Sequence, residues 1–191
     1  MILITTTRRP ARRTRSFVRE LYHVIPRAYR MNRGKSSIED LNELALSKGL
    51  ARILIVGTRA GNPSFLMFYS TNPLKPILLN QIILKGVTLR REFTKRRAPF
   101  SRNMGVTYQG NLRDLAKELA RGLFLPDPIS VSKDEIPDLK DEFDLVLHLS
   151  GDEGIVHSTF YYVNPFHEVG PRIRIKGYRV FEGEDSPQGD D

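Results

Sequence analysis

The chain has 191 residues, is 40% hydrophobic and 27% charged, and carries a formal net charge of +8 with no cysteine. Without cysteine it has no disulfide, iron-sulfur cluster, catalytic thiol or cysteine-ligated zinc, and no apolar run approaches the length of a membrane span. The length allows one large domain or two small ones with a proper core, and a pI of about 9.9 points to an anionic partner, with nucleic acid favoured over a membrane surface.

Ile2 to Thr5 reads as a short strand that runs straight into arginines, without the apolar region and small-residue cleavage site of a signal peptide. The expected location is therefore intracellular, in the cytoplasm. Between Arg8 and Lys35 the cations Arg8, Arg9, Arg12, Arg13, Arg15, Arg19, Arg27, Arg30, Arg33 and Lys35 face a single acidic residue, Glu20. Pro10 can open a helix from about Thr14 to Ile25, and Pro26 ends it, because proline lacks the amide hydrogen and restricts the residue before it. At helical spacing Phe17, Val18, Leu21, Tyr22, Val24 and Ile25 share one face, with Arg12, Arg15, Arg19 and His23 opposite. A solvated face normally mixes signs, which gives i,i+4 pairs. This one is nearly all arginine, the residue suited to bidentate or stacked contacts with phosphates.

A second helix follows, opened by a capping box of Ser36 with Glu39 or Ser37 with Asp40 and stopped at Gly49. Arg52 to Thr58 is a strand suited to a buried sheet, and a turn from Gly57 to Pro63 leads to a strand from Phe65 to Ser70. Asn72-Pro73 interrupts it, and Ile77 to Leu89 forms the next. A basic segment follows, with Arg90, Arg91, Lys95, Arg96, Arg97 and Arg102, and reads as a linker. The order then repeats. Val106 to Tyr108 is a strand, Asn111 caps a helix ended by Gly122, an acidic insertion runs from Pro126 to Glu142, and the strands Phe143 to Ser150 and Ile155 to Val163 flank the turn Gly151 to Gly154. Asn164-Pro165 matches Asn72-Pro73, and Lys176-Gly177 in the last strand, Arg172 to Phe181, matches Lys85-Gly86. The fold class expected is α/β, with two tandem similar halves, about 1–92 and 103–181, each a mixed sheet with helices. The acidic end, residues 182–191, reads as a disordered tail.

Catalytic motifs are wanting. Arg33-Gly34-Lys35-Ser36 ends like a phosphate-binding loop, but Tyr29 stands where the first glycine belongs and a helix precedes it. Gly57 to Gly61 leads into a strand, not a helix, and is a hairpin connection. The histidines His23, His148, His157 and His167 lack metal-ligand spacing, and the carboxylates Asp152, Glu153 and Asp134 to Asp144 lack acid-base spacing. The expectation is a protein that is not an enzyme and takes no cofactor or metal. In the last strand Arg172, Arg174 and Lys176 alternate with Ile173 and Ile175, which places the cations on one face.

The pattern Arg8-Arg9-Pro10, Arg13, Phe17, Glu20-Leu21, Ile25-Pro26 and Arg30 to Gly34 resembles the opening of Brix-domain proteins, a ribosome-biogenesis family. Glu168 to Ile175, with Gly170-Pro171-Arg172, resembles the family's Gly-Pro-Arg motif. The two bracket one Brix domain over residues 1–181, in a minimal archaeal form similar to the small-subunit-processome subgroup. The resemblance implies halves like the anticodon-binding domains of class II aminoacyl-tRNA synthetases. It also implies binding of rRNA or pre-rRNA, with a box C/D guide RNA and ribosome-assembly proteins as further partners and no membrane. The RNA-binding residues expected are Arg8, Arg9, Arg12, Arg13, Arg15, Arg19, Arg30, Arg33, Lys35, Lys95, Arg96, Arg97, Arg102, Arg172 and Arg174, forming one continuous basic surface, with Tyr29, Phe100 and Tyr108 as candidate stacking residues. An adaptor for an acidic partner protein and a tRNA-binding accessory module are the competing readings.

Overall fold

The computed structural model describes residues 1–95, 98–151 and 154–181, so Arg96, Arg97, the turn residues Asp152 and Glu153, and the acidic tail lie outside the described residues. The first part of the chain forms β1 (Ile2–Thr6), α1 (Arg12–Val24), β2 (Ala28–Arg30), α2 (Ile38–Ser47), β3 (Arg52–Arg59), β4 (Asn62–Ser70) and β5 (Ile77–Thr88). The second forms β6 (Met104–Tyr108), α3 (Arg113–Leu123), β7 (Ile129–Ser130), a 3-10 helix (Lys133–Asp141), β8 (Leu145–Ser150), β9 (Val156–Tyr162) and β10 (His167–Val180).

All of these strands join one ten-stranded sheet in the order β2-β1-β3-β4-β5-β10-β9-β8-β6-β7. β1 lies between β2 and β3, parallel to both, and β6 lies between β7 and β8, parallel to both. The remaining neighbours are antiparallel, with β5 against β10 at the centre.

The two sheet faces are covered differently. Phe17 and Leu21 of α1 and Leu115 and Leu119 of α3 share a buried cluster with Leu54, Phe68, Ile82, Leu147, Phe160 and Ile173, so α1 and α3 occupy the same face. On the other face α2 packs Leu41 and Ala45 onto Leu3, Ile53 and Tyr69 at one end. At the other end the 3-10 helix packs Ile136 onto Val146, Tyr161 and Val163. The acidic insertion is thus an ordered cover, although its polar composition reads as loop.

Several local expectations are resolved or corrected. The capping box of α2 is, of the two alternatives expected, the one that pairs Ser37 with Asp40: the Ser37 hydroxyl accepts from the Asp40 amide, and the Asp40 carboxylate accepts from the Ser37 amide. Asn111 does not cap α3, since Leu112 holds that position without a side-chain bond. Gly122 does not end α3 either; the helix continues to Leu123, and Phe124 takes the left-handed conformation at φ 58. There Gly122 serves packing, because a Cβ on it would lie 2.6 Å from the Phe68 ring. The hairpin after β3 needs only Ala60 and Gly61, both at positive φ, so β4 starts at Asn62 rather than Phe65. β10 begins at His167, five residues before the expected Arg172.

The two Lys-Gly pairs have a shared geometric cause. Arg174 pairs with Gly86 and Ile175 with Leu84, which leaves Lys85 as the extra residue of β5; Ile175 to Gly177 against Leu84 to Ile83 leaves Lys176 as the extra residue of β10. Each lysine therefore sits in a bulge, one on each central strand, where ladder bonding is interrupted and the strand bends.

His148 of β8 is 2% exposed, with Nδ1 2.9 Å from the Thr107 hydroxyl and Nε2 unpartnered among the described residues. Burial, with a smaller effect of Lys133, lowers its pKa from 6.5 to about 4. The unfolded chain takes up the proton first, so the contribution of His148 to stability should be constant above pH 6.5 and fall progressively as pH drops towards about 4. Thermal melts across that range check this: the decline should be shallower in His148→Asn, which has no proton to gain.

Candidate nucleic-acid interface

α1 is amphipathic because its apolar positions recur at helical spacing, and the core takes Phe17, Val18, Leu21 and Val24 together with Thr14. Tyr22 is not part of that buried face. It is 39% exposed and stands beside the arginines, with the Arg30 guanidinium 5.9 Å from its ring centre.

The outward side of α1 forms one wall of a groove of about 750 Å³, and the segment after β2 forms the other. Arg12, Arg15 and Arg19 line it from the helix, Arg30 and Arg33 from β2 and its following turn, and Arg91 from the turn after β5. Among the described residues none of these six is ion-paired, and no carboxylate lines the groove.

Arg33 is the most constrained of them. It is 8% exposed, its Nε donates to the Ser36 carbonyl at 2.8 Å, and burial together with Arg8 lowers its pKa. A guanidinium stays charged regardless; Glu39 and Asp40 act on Arg33 from nearby, but among the described residues no carboxylate lines the groove itself. An anion that enters the groove therefore meets mainly positive charge.

Other expected contacts fall elsewhere. Arg13 turns away from the groove: Nη2 donates to the Val87 carbonyl at 2.8 Å and to Glu92 Oε2 at 2.9 Å, and Nη1 reaches the same carboxylate. Its charge is thus matched within the fold, where it ties α1 to the turn after β5. Arg172 is also paired, with Nη2 2.9 Å from Glu168 Oε2 and its guanidinium 4.2 Å from the Phe93 ring centre.

Because Ile173 and Ile175 enter the cluster beneath α1 and α3, the alternating Arg172 and Arg174 lie on the opposite face of the sheet. The single continuous surface expected from sequence is therefore divided between two faces. Arg8 and Arg9 line a second hollow, of about 920 Å³, with Arg59 and Arg179 over Phe65 and Ile83. Lys35, Lys95 and Arg102 are exposed, and the Arg102 amide donates to Asp144.

Of the stacking candidates, Tyr108 is buried, Tyr29 is covered by the Lys48 ammonium at 4.6 Å, and Phe100 is 84% exposed. Sequence reasoning missed Arg59, Arg91 and Arg179. Arg91 carries a signal, being part of the basic run after β5, whereas Arg59 and Arg179 meet only through sheet pairing.

Among the described residues no group of histidine, aspartate or glutamate could hold a metal ion, and no helix is long and apolar enough to cross a membrane.

No family model matches the chain. The probable Brix domain-containing ribosomal biogenesis protein of Pyrobaculum aerophilum is 30% identical over 184 residues, covering 92% of this chain and 93% of that protein. The chain belongs to the Brix domain-containing ribosomal biogenesis proteins. The relative in Aeropyrum pernix is 44% identical over 90 residues, 47% of this chain and 50% of that protein, so this match spans half of that relative's length. The U3 small nucleolar ribonucleoprotein protein imp4 of Schizosaccharomyces pombe is 27% identical over 191 residues, 95% of this chain and 62% of that protein. The crystal structure of a probable ribosomal biogenesis protein from Aeropyrum pernix superposes with a TM-score of 0.75 at 30% identity, over 92% of this chain and 94% of that one.

In this Brix-domain chain the Gly-Pro-Arg motif performs a packing task. Gly170 has φ 58, and a Cβ on it would lie 2.4 Å from the Phe93 ring, the same ring that carries Arg172. The motif thus fastens the entry of β10 to the turn that holds Glu92 and, through it, Arg13 of α1.

Proposed function

We propose that this Brix-domain protein is a non-catalytic RNA-binding factor in ribosome biogenesis, which holds rRNA or its precursor by phosphate contacts in the arginine groove. The observation that carries the reading is the set Arg12, Arg15, Arg19, Arg30, Arg33 and Arg91, gathered from three separate chain segments into one groove that, among the described residues, has no carboxylate in its lining. Folding them together without counter-charge costs stability, and phosphate oxygens offset that cost. The family's association with ribosome biogenesis makes rRNA the preferred source of those phosphates.

We also read the chain as two similar halves. β1, α1, β2, α2, β3, β4 and β5 follow the same order as β6, α3, β7, the 3-10 helix, β8, β9 and β10, and the strand order is symmetric about the β5–β10 pair. Function is unequal between them. Where the exposed ionic side chains of α1 are the arginines Arg12, Arg15 and Arg19, the exposed side of α3 mixes Arg113, Lys117 and Arg121 with Asp114. The RNA track therefore belongs to the first half. A box C/D guide RNA and assembly proteins are the further partners in this reading, in the cytoplasm.

Crosslinking the tagged protein to RNA in its native cells, with sequencing of the attached RNA, tests the proposal. Enrichment at discrete positions in precursor or mature rRNA is expected. Enrichment of tRNA would replace rRNA as the target, and no enrichment over a basic control protein would favour an acidic protein partner.

A further inference from the structure

Next to the arginine groove, at the other end of α1, lies a recess of about 330 Å³ lined by Tyr22, His23, Pro26, Arg27, Phe100 and Ser101. We infer that it receives an unpaired nucleobase of the RNA whose phosphates occupy the groove, an inference that rests on the RNA-binding reading above.

Several independent features favour a base as the occupant. Phe100 is 84% exposed, and among the described residues its ring has no aromatic or cationic partner. Of the other exposed rings, Tyr29 is matched by Lys48, Phe124 by Arg52 and Phe166 by stacking on Tyr161, while Tyr178, outside this recess, shows no such partner among the described residues. Tyr22 and His23 also line the recess, with their ring centres 5.4 Å apart and the planes tilted by 56°. Volumes of roughly 300 Å³ and above are those of small-molecule sites.

The rim has the chemistry of the same ligand. Arg27 is on it, among the described residues no carboxylate is, and Arg30 reaches Tyr22 from the groove side. Arg27 holds φ 54, a conformation costly for a side chain with a Cβ. Such strain concentrates at ligand clamps. Tyr22 and His23 follow Arg19 by one helical turn, so a strand that lies along Arg12, Arg15 and Arg19 brings its next base to the recess.

A duplex keeps its bases stacked and paired, whereas single-stranded RNA can splay a base onto an aromatic ring. The protein should therefore prefer unpaired RNA by way of Tyr22 and Phe100. Binding of a labelled unstructured oligoribonucleotide, and of the same strand annealed to its complement, should be measured for the full chain and for Tyr22→Leu, Phe100→Ala and Tyr22→Phe. Each loss of a ring should weaken single-strand binding about 5- to 100-fold. Duplex affinity and the salt dependence should not change, and Tyr22→Phe should bind like the parent protein. Melting temperatures confirm folding; Phe100 contributes nothing to the buried core.

Equal losses on single strand and duplex would overturn the base site. So would unchanged single-strand binding by the ring variants while replacement of Arg12, Arg15 and Arg19 abolishes it; the groove reading would then stand, and the recess would pass to a protein partner. Failure of the parent protein to bind either RNA would overturn both readings.

Discussion

Replacement of Arg12, Arg15 and Arg19 together by glutamine is expected to lower RNA affinity on the order of a hundredfold at moderate salt while leaving the fold intact. The three side chains are exposed on the outer face of α1, and among the described residues their intramolecular hydrogen bonding is limited to the Arg15 contact with the Pro10 carbonyl at 3.1 Å. Glutamine keeps the helical stem and removes only the charge. Each cation that neutralises a phosphate releases condensed counterions, so the slope of log K against log salt should become shallower by about 2 to 3 units. Arg13→Gln is the control: it lies on the same helix, but its guanidinium is spent on Glu92 and the Val87 carbonyl. That variant should lose stability and keep the parent salt slope. An unchanged slope in the triple variant, or an equal change in Arg13→Gln, would remove the groove as the binding face.

The second large effect concerns the contact between α3 and the sheet. Phe68 of β4 is 1% exposed within the larger cluster, and its ring lies over Gly122. Phe68→Ala should cost about 3–5 kcal/mol, from lost transfer energy and the cavity left behind. Gly122→Ala presents opposing effects. Helix propensity favours alanine by about 1 kcal/mol, but its methyl carbon would lie 2.6–2.8 Å from the Phe68 ring carbons, nearest of all to the rigid point of the ring where it joins the side chain. Overpacking of this kind costs about 1–3 kcal/mol and should prevail. Once Phe68 is alanine the methyl has room, so Gly122→Ala should become neutral or stabilising in that background. Denaturant unfolding of the two single variants and the double variant measures this coupling; additive effects would show that the two residues do not share the contact.

The sequence made α1 legible because two prolines bound it and its arginines meet almost no acid. Charge could be counted, but the destination of each charge could not. Arg13 finds Glu92 at a separation of 79 residues, a pairing that only the docking of α1 on the sheet creates. Tyr22 lies at the margin of the apolar arc of α1, where periodicity alone does not decide between core and solvent, whereas Thr14 falls near the middle of that arc and is buried despite its hydroxyl. β2, with three residues Ala28–Arg30, is too short to show alternation and exists because β1 offers it a parallel edge. The hollow that unites Arg8, Arg9, Arg59 and Arg179 likewise follows from strand order, which no local pattern encodes. The Lys-Gly pairs were visible as a repeat, yet their meaning as paired bulges required the register of β5 on β10.

That central pairing also bears on how the protein is made. β5 is finished long before its partner, since residues 167–180 follow all the other strands. At about 5–20 residues per second, β5 waits several seconds on the ribosome with one hydrogen-bonding edge unsatisfied. An open edge invites pairing with the wrong chain. Lys85, an exposed cation on that edge strand, places a charge where a foreign strand would add, which is one way natural sheets discourage such pairing.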